Sequence, residues 1–339
     1  MPHAAIFCYN RVMKTIKTID LFAGIGGIRK GFENTGKFET VFANDFEPNC
    51  KKTYDLNFDS GAKLTVKDIR DVSVRGDNIP RFDFVLSGFP CQPFSLGGLK
   101  QGLNDAKGRG TLFKEIIRIL NESKEIYGKL PRGFLLENVK NLKTHDGGNT
   151  YKVIYDSLEE VGFSIKSRVL NSLDFGVAQN RERIYIVGFR DKEDYEKFKW
   201  PEPTVKDCDY GRVKDILEPN VDRKYYYNGK PLYEKIHEYI TDENIVYNYR
   251  RTYIRAIKGG YSPTLVASMG MGGHNVPIIK DKKGIRKLTP TECSRLQGYG
   301  DLKIPIDMKD CNVYKQIGNS VTVPVIEAIA KEIAKAFNL

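Results

Sequence analysis

The sequence predicts an α/β protein with a mostly parallel sheet flanked by helices and a second, smaller domain. From Thr15 to about Phe189, short apolar runs alternate with longer amphipathic stretches, which is typical of strands joined by crossover helices. After Trp200 this alternation ends, and residues 206–290 are rich in Tyr, Arg, Lys and Gly without sustained periodicity. With 339 residues the chain is long enough for one large domain and a smaller one.

The predicted strands of the first domain are the runs TIKTIDLFA, ETVFAN, FDFVLSG, GFLLEN and RIYIVGF. LFKEIIRIL and TYKVIYDSLEEVG have apolar residues at spacings of three and four, which predicts helices. The final segment, VPVIEAIAKEIAKAF, predicts an amphipathic helix that packs back on the first domain. The predicted division is an N-terminal tail (1–14), a main domain (15–205 plus 315–339), a second domain (206–290) and a hinge region (291–314).

Charge and cysteine placement limit the class of protein. The net charge of +11 favours polyanions, which fits nucleic acid but equally fits an anionic membrane surface. The cysteines at 8, 50, 91, 208, 293 and 311 lie far apart, so we expect neither a disulfide framework nor a metal site, and a reducing, intracellular setting. We expect no membrane segment, because no apolar run is long enough and the first residues lack a signal-peptide pattern.

Unusual residues follow the predicted strands, at the edge of a parallel sheet where ligands bind. The segments that follow the first four strands are Gly24-Ile25-Gly26-Gly27, Asn44-Asp45-Phe46, Gly88-Phe89-Pro90-Cys91-Gln92-Pro93 and Glu137-Asn138. The glycines allow a tight turn and close approach of a ligand, and a carboxylate about 20 residues later suits ribose hydroxyls. Together they predict an active site at this edge.

Each feature also has an ordinary structural explanation. Glycine turns are common after strands, and Arg29 breaks the dinucleotide-binding pattern G-x-G-x-x-G. Asp45 and Glu137 could cap helices, and most cysteines are inert buried residues. Burial explains Cys91 poorly, because it lies between two prolines and outside any apolar periodicity. The combination therefore favours a functional site, although each feature alone does not.

Ordered motifs identify the family that this chain resembles. DLFAGIGG, GFPCQPFS, LLENV, QNRERIYIVG, RKLTPTECSRLQGY and YKQIGNSV resemble the motif series of the DNA cytosine-5 methyltransferases, from about Asp20 to Val321. The compact length resembles the prokaryotic modification enzymes. The resemblance implies an S-adenosylmethionine (SAM)-dependent methyltransferase fold with a smaller target-recognition domain. It also implies methyl transfer from SAM to C5 of a flipped-out cytosine in a specific double-stranded DNA sequence.

The family chemistry assigns roles to residues at the sheet edge. Cys91 matches the nucleophile that adds to cytosine C6, and Glu137 matches the residue that protonates or hydrogen-bonds N3. Arg183 matches the contact to cytosine O2, while Arg181 helps to hold the site and Gln179 shapes the pocket. Arg181 and Arg183, two residues apart in an extended chain, should point to one face. A surface ion-pair strand is the alternative, since Glu182 lies between them.

The resemblance further implies a SAM site, with S-adenosylhomocysteine as the product and no metal. Phe22, Gly24 and Gly26 match the methionine and backbone cradle, Asp45 the ribose contact, and Phe46 the ring that stacks on adenine, where many relatives have tryptophan. The adenine edge matches Asp68 and Ile69. The remaining predicted cofactor-binding positions are Ile25, Gly27, Pro90, Leu112, Asn319 and Ser320.

Two regions are predicted to bind DNA. Residues 95–110 are rich in glycine and directly follow the Cys91 motif, which predicts a lid that closes over DNA; its predicted contacts are Ser95, Lys100, Gln101 and Arg109. An ordinary surface loop is the alternative. In the second domain the predicted contacts are Arg250, Arg251, Arg255 and Thr264, the last at a backbone phosphate by resemblance. For any one of these arginines a solvated basic face is an equal alternative.

Other functions remain as alternatives. An RNA (tRNA) cytosine-5 methyltransferase would use the same Cys91 and Glu137, but no Cys-Phe-Thr element of that branch is present. A nucleotide-dependent oxidoreductase leaves Cys91 unexplained, and intact catalytic residues argue against a silent DNA-binding relative. We expect a monomer that acts on double-stranded DNA in the cytoplasm, associated with the nucleoid if prokaryotic. A cognate restriction endonuclease would act on the same site without a stable complex.

Overall fold

The computed structural model describes residues 15–90, 112–205, 211–250, 252–269 and 275–339. The strands are β1 Ile16–Leu21, β2 Phe38–Asp45, β3 Leu64–Val66, β4 Phe84–Ser87, β5 Gly133–Val139, β6 Ser164–Asn171, β7 Gln179–Asn180, β8 Glu182–Phe189, β9 Val246–Arg250, β10 Tyr253–Ile257, β11 Ser262–Pro263, β12 Pro277–Asp281 and β13 Gly284–Lys287. The α-helices are α1 Gly27–Glu33, α2 Pro48–Asn57, α3 Leu112–Tyr127, α4 Asn149–Val161, α5 Lys192–Lys197, α6 Tyr233–Ile236, α7 Pro290–Arg295, α8 Asp310–Asn319 and α9 Val323–Ala336.

The main sheet has seven strands in the order β3-β2-β1-β4-β5-β8-β6. The pairings from β3 through β5 are all parallel, which confirms the mostly parallel α/β fold. The run RIYIVGF, however, forms β8, which is antiparallel to both β5 and β6. The connection from β6 to β8 spans only residues 172–181, too short for the crossover that a parallel neighbour requires.

The parallel strands bring their carboxyl ends to one edge of the sheet. Leu21 at the end of β1 lies between Asn44 of β2 and Ser87 of β4, and Ser87 is paired with Leu136 of β5. The segments that follow β1, β2, β4 and β5 are therefore neighbours in space. These are the segments in which the sequence predicts an active site.

Helices cover both faces of the sheet. On one face, α3 and α4 pack Ile116 and Leu158 against strand residues such as Leu136. On the other face, α1 and α9 pack Phe32 and Ile329 against the alternate strand residues. A Cβ atom at Gly31 would lie 2.6 Å from Ile326 Cγ2, so the close approach of α1 and α9 requires a glycine there. The predicted return of the C-terminal helix to the first domain is confirmed.

The described part of residues 206–290, called the second region below, contains a four-stranded sheet in the order β10-β9-β12-β13. It packs on its own small core, which includes Tyr247, Ile278 and Ile285. A further apolar cluster joins Leu265 and Leu288 of this region to Ile317 of α8. The two regions thus share one apolar cluster, and the domain division made from the sequence stays a prediction.

A buried ion pair connects the second sheet to α7. Arg286, only 1% exposed, contacts Glu292 with Nη1 at 2.8 Å from Oε2 and Nη2 at 2.8 Å from Oε1. Glu292 also accepts from the backbone N–H groups of Thr289 and Glu218. Because every charged atom has a partner, the pair fixes the start of α7 against β13.

Within the described ranges, no helix is long and apolar enough to cross a membrane.

Candidate active site

The glycine turn after β1 contains one open position and two crowded ones. Gly24, with φ +55°, has no atom within 4 Å of where a Cβ would lie, so its backbone is accessible to a ligand. A Cβ at Gly26 would lie 2.3 Å from the Phe58 ring, and one at Gly27 would lie 2.5 Å from the Tyr299 hydroxyl. These two glycines are therefore required by packing. Ile25 is buried, so only its backbone is available to a cofactor.

Arg29, which breaks the dinucleotide pattern, has a structural role. Its guanidinium lies 4.1 Å from the centroid of the Phe58 ring and donates to the carbonyls of Ala62 at 2.6 Å and Ser60 at 3.0 Å. It also forms an ion pair with Glu33. The arginine thereby attaches α1 to the loop before β3 instead of facing a ligand.

Asp45 and Phe46 lie beside the glycine turn. Asp45 Oδ2 accepts from Gly24 N at 2.9 Å, and Oδ1 accepts from Glu47 N at 2.9 Å. Burial raises the pKa of Asp45, and the hydrogen bonds from Glu47 and Gly24 oppose that rise. Each carboxylate oxygen keeps a lone pair for a ribose hydroxyl. The Phe46 ring is 68% exposed and can stack on a purine.

The other predicted cofactor positions are mixed in character. Asp68 caps the short 3₁₀ helix Ile69–Asp71 and pairs with Arg70 at 2.6 Å, which lowers the pKa of Asp68 to about 2. The Ile69 side chain is in the core. Phe22 has φ 56°, Leu112 and Pro90 are partly buried, and Asn319 is exposed. The Ser320 Oγ and the Tyr299 hydroxyl are 2.5 Å apart.

Glu137 lies at the end of β5 and is 8% exposed. Its Oε1 lies 3.1 Å from Arg183 Nε, yet within the described part of the chain this oxygen makes no hydrogen bond of good geometry. Burial raises the pKa of Glu137, while Arg183 and Arg181 oppose the rise. A carboxyl group with a raised pKa can hold a proton near neutral pH and donate it.

The segment that leads to Cys91 is held next to this carboxyl group. Asn138 Nδ2 donates to Phe89 O at 3.2 Å, and a Cβ at Gly88 would lie 3.7 Å from Glu137 Oε2. Residues 88–90 therefore run alongside Glu137. Cys91 itself lies outside the described residues, as do Ser95, Lys100, Gln101, Arg109 and Arg251.

Arg181 and Arg183 have different partners. Arg183 faces Glu137, whereas Arg181, 3% exposed, donates to main-chain carbonyls: Nη1 to Leu265 O at 2.9 Å and Nη2 to Ser320 O at 2.5 Å. Gln179 is fully buried; its Nε2 donates to Leu296 O, and its Oε1 accepts from Leu265 N. Arg181 and Gln179 thus join separate segments, and their contact with a substrate stays a prediction.

The predicted DNA contacts that the structure describes lie in the second region. Arg250 and Arg255 are exposed, and Arg250 Nη1 lies 3.3 Å from Asn275 Oδ1. The Thr264 hydroxyl donates to Asn180 O at 2.7 Å, so in this structure it positions the backbone. A hydroxyl that donates to a carbonyl still has acceptor lone pairs but has no proton left for a phosphate. The phosphate contact of Thr264 stays a prediction.

Sequence reasoning missed three residues that contact the predicted site. They are Gln297 and Tyr299, both buried near Ser320, and Gly318, which precedes Asn319. All three belong to motifs that carry the resemblance, RLQGY and YKQIGNSV, but none is a residue type that by itself indicates catalysis or cofactor binding.

Within the described ranges, no group of three His, Cys, Asp or Glu side chains could hold a metal ion.

Comparison with known proteins defines the class. Residues 16–335 match the family model of C-5 cytosine-specific DNA methylases. The chain belongs to this family and is a DNA cytosine-5 methyltransferase. It is 48% identical over 328 residues to the Type II methyltransferase M.Bsp6I of Bacillus sp. (strain RFL6), covering 95% of this chain and 99% of that protein. It is 43% identical over 331 residues to the Type II methyltransferase M.HaeII of Haemophilus aegyptius, covering 96% and 95%.

Solved structures share the fold at lower sequence identity. The Entamoeba histolytica methyltransferase EhMeth aligns with a TM-score of 0.74 and 20% identity, over 96% of this chain and 99% of that one. The S. pombe Dnmt2 methyltransferase aligns with a TM-score of 0.71 and 18% identity, over 96% and 100%. They confirm the methyltransferase fold over 96% of this chain.

Proposed function

We propose that this protein methylates C5 of a flipped-out cytosine in a specific double-stranded DNA sequence, through a covalent bond between Cys91 and C6. The observation that supports this most directly is the buried Glu137, paired with Arg183 and adjacent to residues 88–90. A carboxyl group with a raised pKa and an arginine at one sheet edge, beside the residues 88–90 that lead to Cys91, suit attack on a pyrimidine ring.

In this proposal Cys91 and Glu137 act together on the base. The Cys91 thiolate adds to C6 while the protonated Glu137 donates to N3, so that the electrons of the C5–C6 bond become available at C5. After methylation, a base removes the C5 proton, the thiolate leaves C6 as the C5–C6 double bond forms again, and N3 returns its proton to Glu137. Because a duplex base is inaccessible to these side chains, the cytosine must first leave the base stack.

Arg183 has two functions in this scheme. Its Nε lies 3.1 Å from Glu137 Oε1, which orients the carboxyl group, and the guanidinium has further N–H groups for cytosine O2. Its positive charge limits the rise in the pKa of Glu137 that burial causes. Glu137 can therefore both hold a proton and release it during the reaction.

The residues beside β1 and β2 fit SAM. The open backbone at Gly24 suits the methionine part, the Asp45 carboxylate suits the ribose hydroxyls, and the exposed Phe46 ring suits the adenine. When bound, SAM supplies an electrophilic methyl group on a sulfonium sulfur. Asp68 is paired with Arg70, so we expect its segment to contribute mainly backbone contacts to the adenine edge.

We also propose that the protein is the methylase of a restriction-modification system, acting as a monomer on chromosomal DNA in a prokaryotic cytoplasm. The relatives named Type II methyltransferases, similar over nearly their whole lengths, support this context. The exposed Arg250 and Arg255 on the second sheet support DNA recognition by that region. A cognate endonuclease would recognise the same DNA sequence.

The deciding experiment uses duplex DNA in which 5-fluorocytosine replaces cytosine, incubated with the protein and SAM. Fluorine blocks the final elimination, so we expect a protein–DNA adduct that peptide mapping assigns to Cys91. Cys91→Ala is the matched control and should form no adduct while it still binds SAM. An adduct at another residue would refute the assignment of the nucleophile, and an adduct only with fluorinated RNA would indicate the RNA branch.

A further inference from the structure

Residues 262–267 form a segment that we call the recognition segment, and its first four residues are attached to residues 178–181. Strand β11 pairs with β7, and Ser262 N donates to Ala178 O at 2.8 Å. Thr264 donates to Asn180 O, and both backbone groups of Leu265 bond to side chains, its N–H to Gln179 and its carbonyl to Arg181. Its position is therefore fixed by several hydrogen bonds.

The same side chains reach the end of α8. Arg181 Nη2 donates to Ser320 O at 2.5 Å and lies 3.4 Å from Gly318 O. Gln179 Nε2 donates to Gln297 Oε1 at 3.1 Å, and Gln297 Nε2 donates to Ile317 O at 2.9 Å. The recognition segment and residues 317–320 are thus joined through shared donors.

Direct backbone packing completes this connection at Gly318. A Cβ atom there would lie 2.3 Å from both the carbonyl carbon and the oxygen of Val266, and 2.7 Å from Ala267 N. Since these neighbours are backbone atoms, no change of side-chain rotamer could relieve the overlap. Only glycine allows the recognition segment to lie this close to α8.

From Ser320 the contacts continue to the glycine turn. The Ser320 Oγ is 2.5 Å from the Tyr299 hydroxyl, and a Cβ at Gly27 would lie 2.8 Å from Ser320 Oγ and 2.5 Å from that hydroxyl. Unbroken contacts therefore run from Thr264, through Gly318 and Ser320, to Gly27. One end lies in the recognition segment and the other in the proposed SAM site.

We propose that Gly318 is a positioning residue that couples DNA binding by the second region, of which the recognition segment is a part, to SAM binding at the glycine turn. This inference rests on the proposed function. A shift of the recognition segment on DNA would be transmitted to Ser320 and the glycine turn, because each contact is tightly packed. Coupling between two binding sites is reciprocal, so each ligand should raise the affinity for the other by the same factor.

The test is a binding cycle with S-adenosylhomocysteine and a short duplex that contains the sequence methylated by this protein, first identified by bisulfite sequencing of plasmid DNA. Each dissociation constant is measured without and with the second ligand. For the unmodified protein we expect a coupling factor of at least about fivefold, within the usual range for coupled sites. For Gly318→Ala we expect a factor close to one, with a lower affinity for the duplex.

Two further variants make the result specific. Gly76→Ala is the matched control, since its Cβ would lie 3.4 Å from Ser73 atoms and its φ is not left-handed. It should keep the original coupling factor. If Gly318→Ala does not fold, Arg181→Lys decides, because a lysine keeps the charge but has one nitrogen with which to reach both Leu265 O and Ser320 O; we expect a reduced factor.

The outcomes separate this inference from the proposed function. A general loosening of the fold would weaken the binding of each ligand equally with and without the other ligand, so the coupling factor would stay unchanged. An unchanged coupling factor in a folded Gly318→Ala, or a coupling factor of one in the unmodified protein, would overturn this inference. If the unmodified protein still methylates duplex DNA, the proposed function is unaffected by either result. Failure of the unmodified protein to methylate duplex DNA would instead refute the proposed function.

Discussion

Asp20 gives the most quantitative prediction, because it is a buried carboxyl group in a strand. It is fully buried near the end of β1, and within the described residues neither carboxylate oxygen makes a hydrogen bond. Burial raises the pKa of Asp20 from 3.8 to about 8, and the nearby Arg29 opposes this rise only in part. Asp20→Asn removes the ionisation while it keeps the size of the side chain.

The sign and magnitude follow from proton linkage. Between pH 3.8 and about 8 the folded protein keeps the Asp20 proton, while the unfolded chain has lost it. The free energy of unfolding therefore falls as pH rises through this range, and the loss is complete above it. At about 1.4 kcal/mol per pH unit over roughly 4 units, the total is on the order of 6 kcal/mol. Asparagine has no such loss, so the variant should gain stability relative to the original protein as pH rises.

The assay is urea unfolding of both proteins at about pH 4 and about pH 9, with the free energy of unfolding obtained by linear extrapolation. The free energy of unfolding of Asp20→Asn, minus that of the original protein, should be larger at about pH 9 than at about pH 4 by several kcal/mol. Asp59→Asn, which removes an 81% exposed side-chain carboxylate, controls for the loss of one charge. A difference that stays the same at both pH values would refute the argument that burial keeps Asp20 protonated.

Three further predictions concern the site and its support. Glu137→Gln should lower the rate of methyl transfer by about 10²–10⁴-fold, while the affinity for S-adenosylhomocysteine stays unchanged. In the original protein, the rate should fall as the pH rises through the raised pKa of Glu137. A rate that does not change with pH would contradict this role. Phe46→Ala should weaken SAM binding about fivefold by calorimetry, and unchanged affinity would exclude stacking. Arg286→Met should lower the free energy of unfolding by about 3–5 kcal/mol, because Glu292 is left buried and charged. Adding Glu292→Gln to this variant should restore part of the lost stability. If the effects of the two substitutions on the free energy of unfolding simply add, the two residues do not interact.

Much of the fold could be predicted because the central strands are buried on both faces and appear as continuous apolar runs. The two strands of the main sheet that were missed, β3 and β6, lie at its opposite edges. β3 has three residues, and β6, with the sequence SIKSRVLN, is mostly half-buried and carries Lys166 and Arg168. Shortness, as in β3, or charged side chains, as in β6, keep an edge strand from pairing with other chains, so such sequences lack the apolar signal.

The site could be predicted only where side-chain chemistry determines it. Asp45 and Glu137 follow apolar runs, and parallel topology alone brings such residues to one edge of the sheet. The contacts of Arg181 and Gly318 are of another kind, since their partners are the backbone atoms of Leu265, Val266 and Ser320. Backbone groups are identical at every position, so no sequence pattern indicates which carbonyl an arginine will reach.

This difference explains why Arg181 and Arg183, two residues apart, have different partners. An extended chain does give neighbouring positions to the two side chains, and both oppose the rise in the pKa of Glu137 that burial causes. Only Arg183 makes an ion pair with that carboxyl group, because Arg181 is held by carbonyls of two distant segments. A motif with two arginines can therefore combine two structural roles: one guanidinium pairs with the buried Glu137, and the other joins two distant segments of the chain.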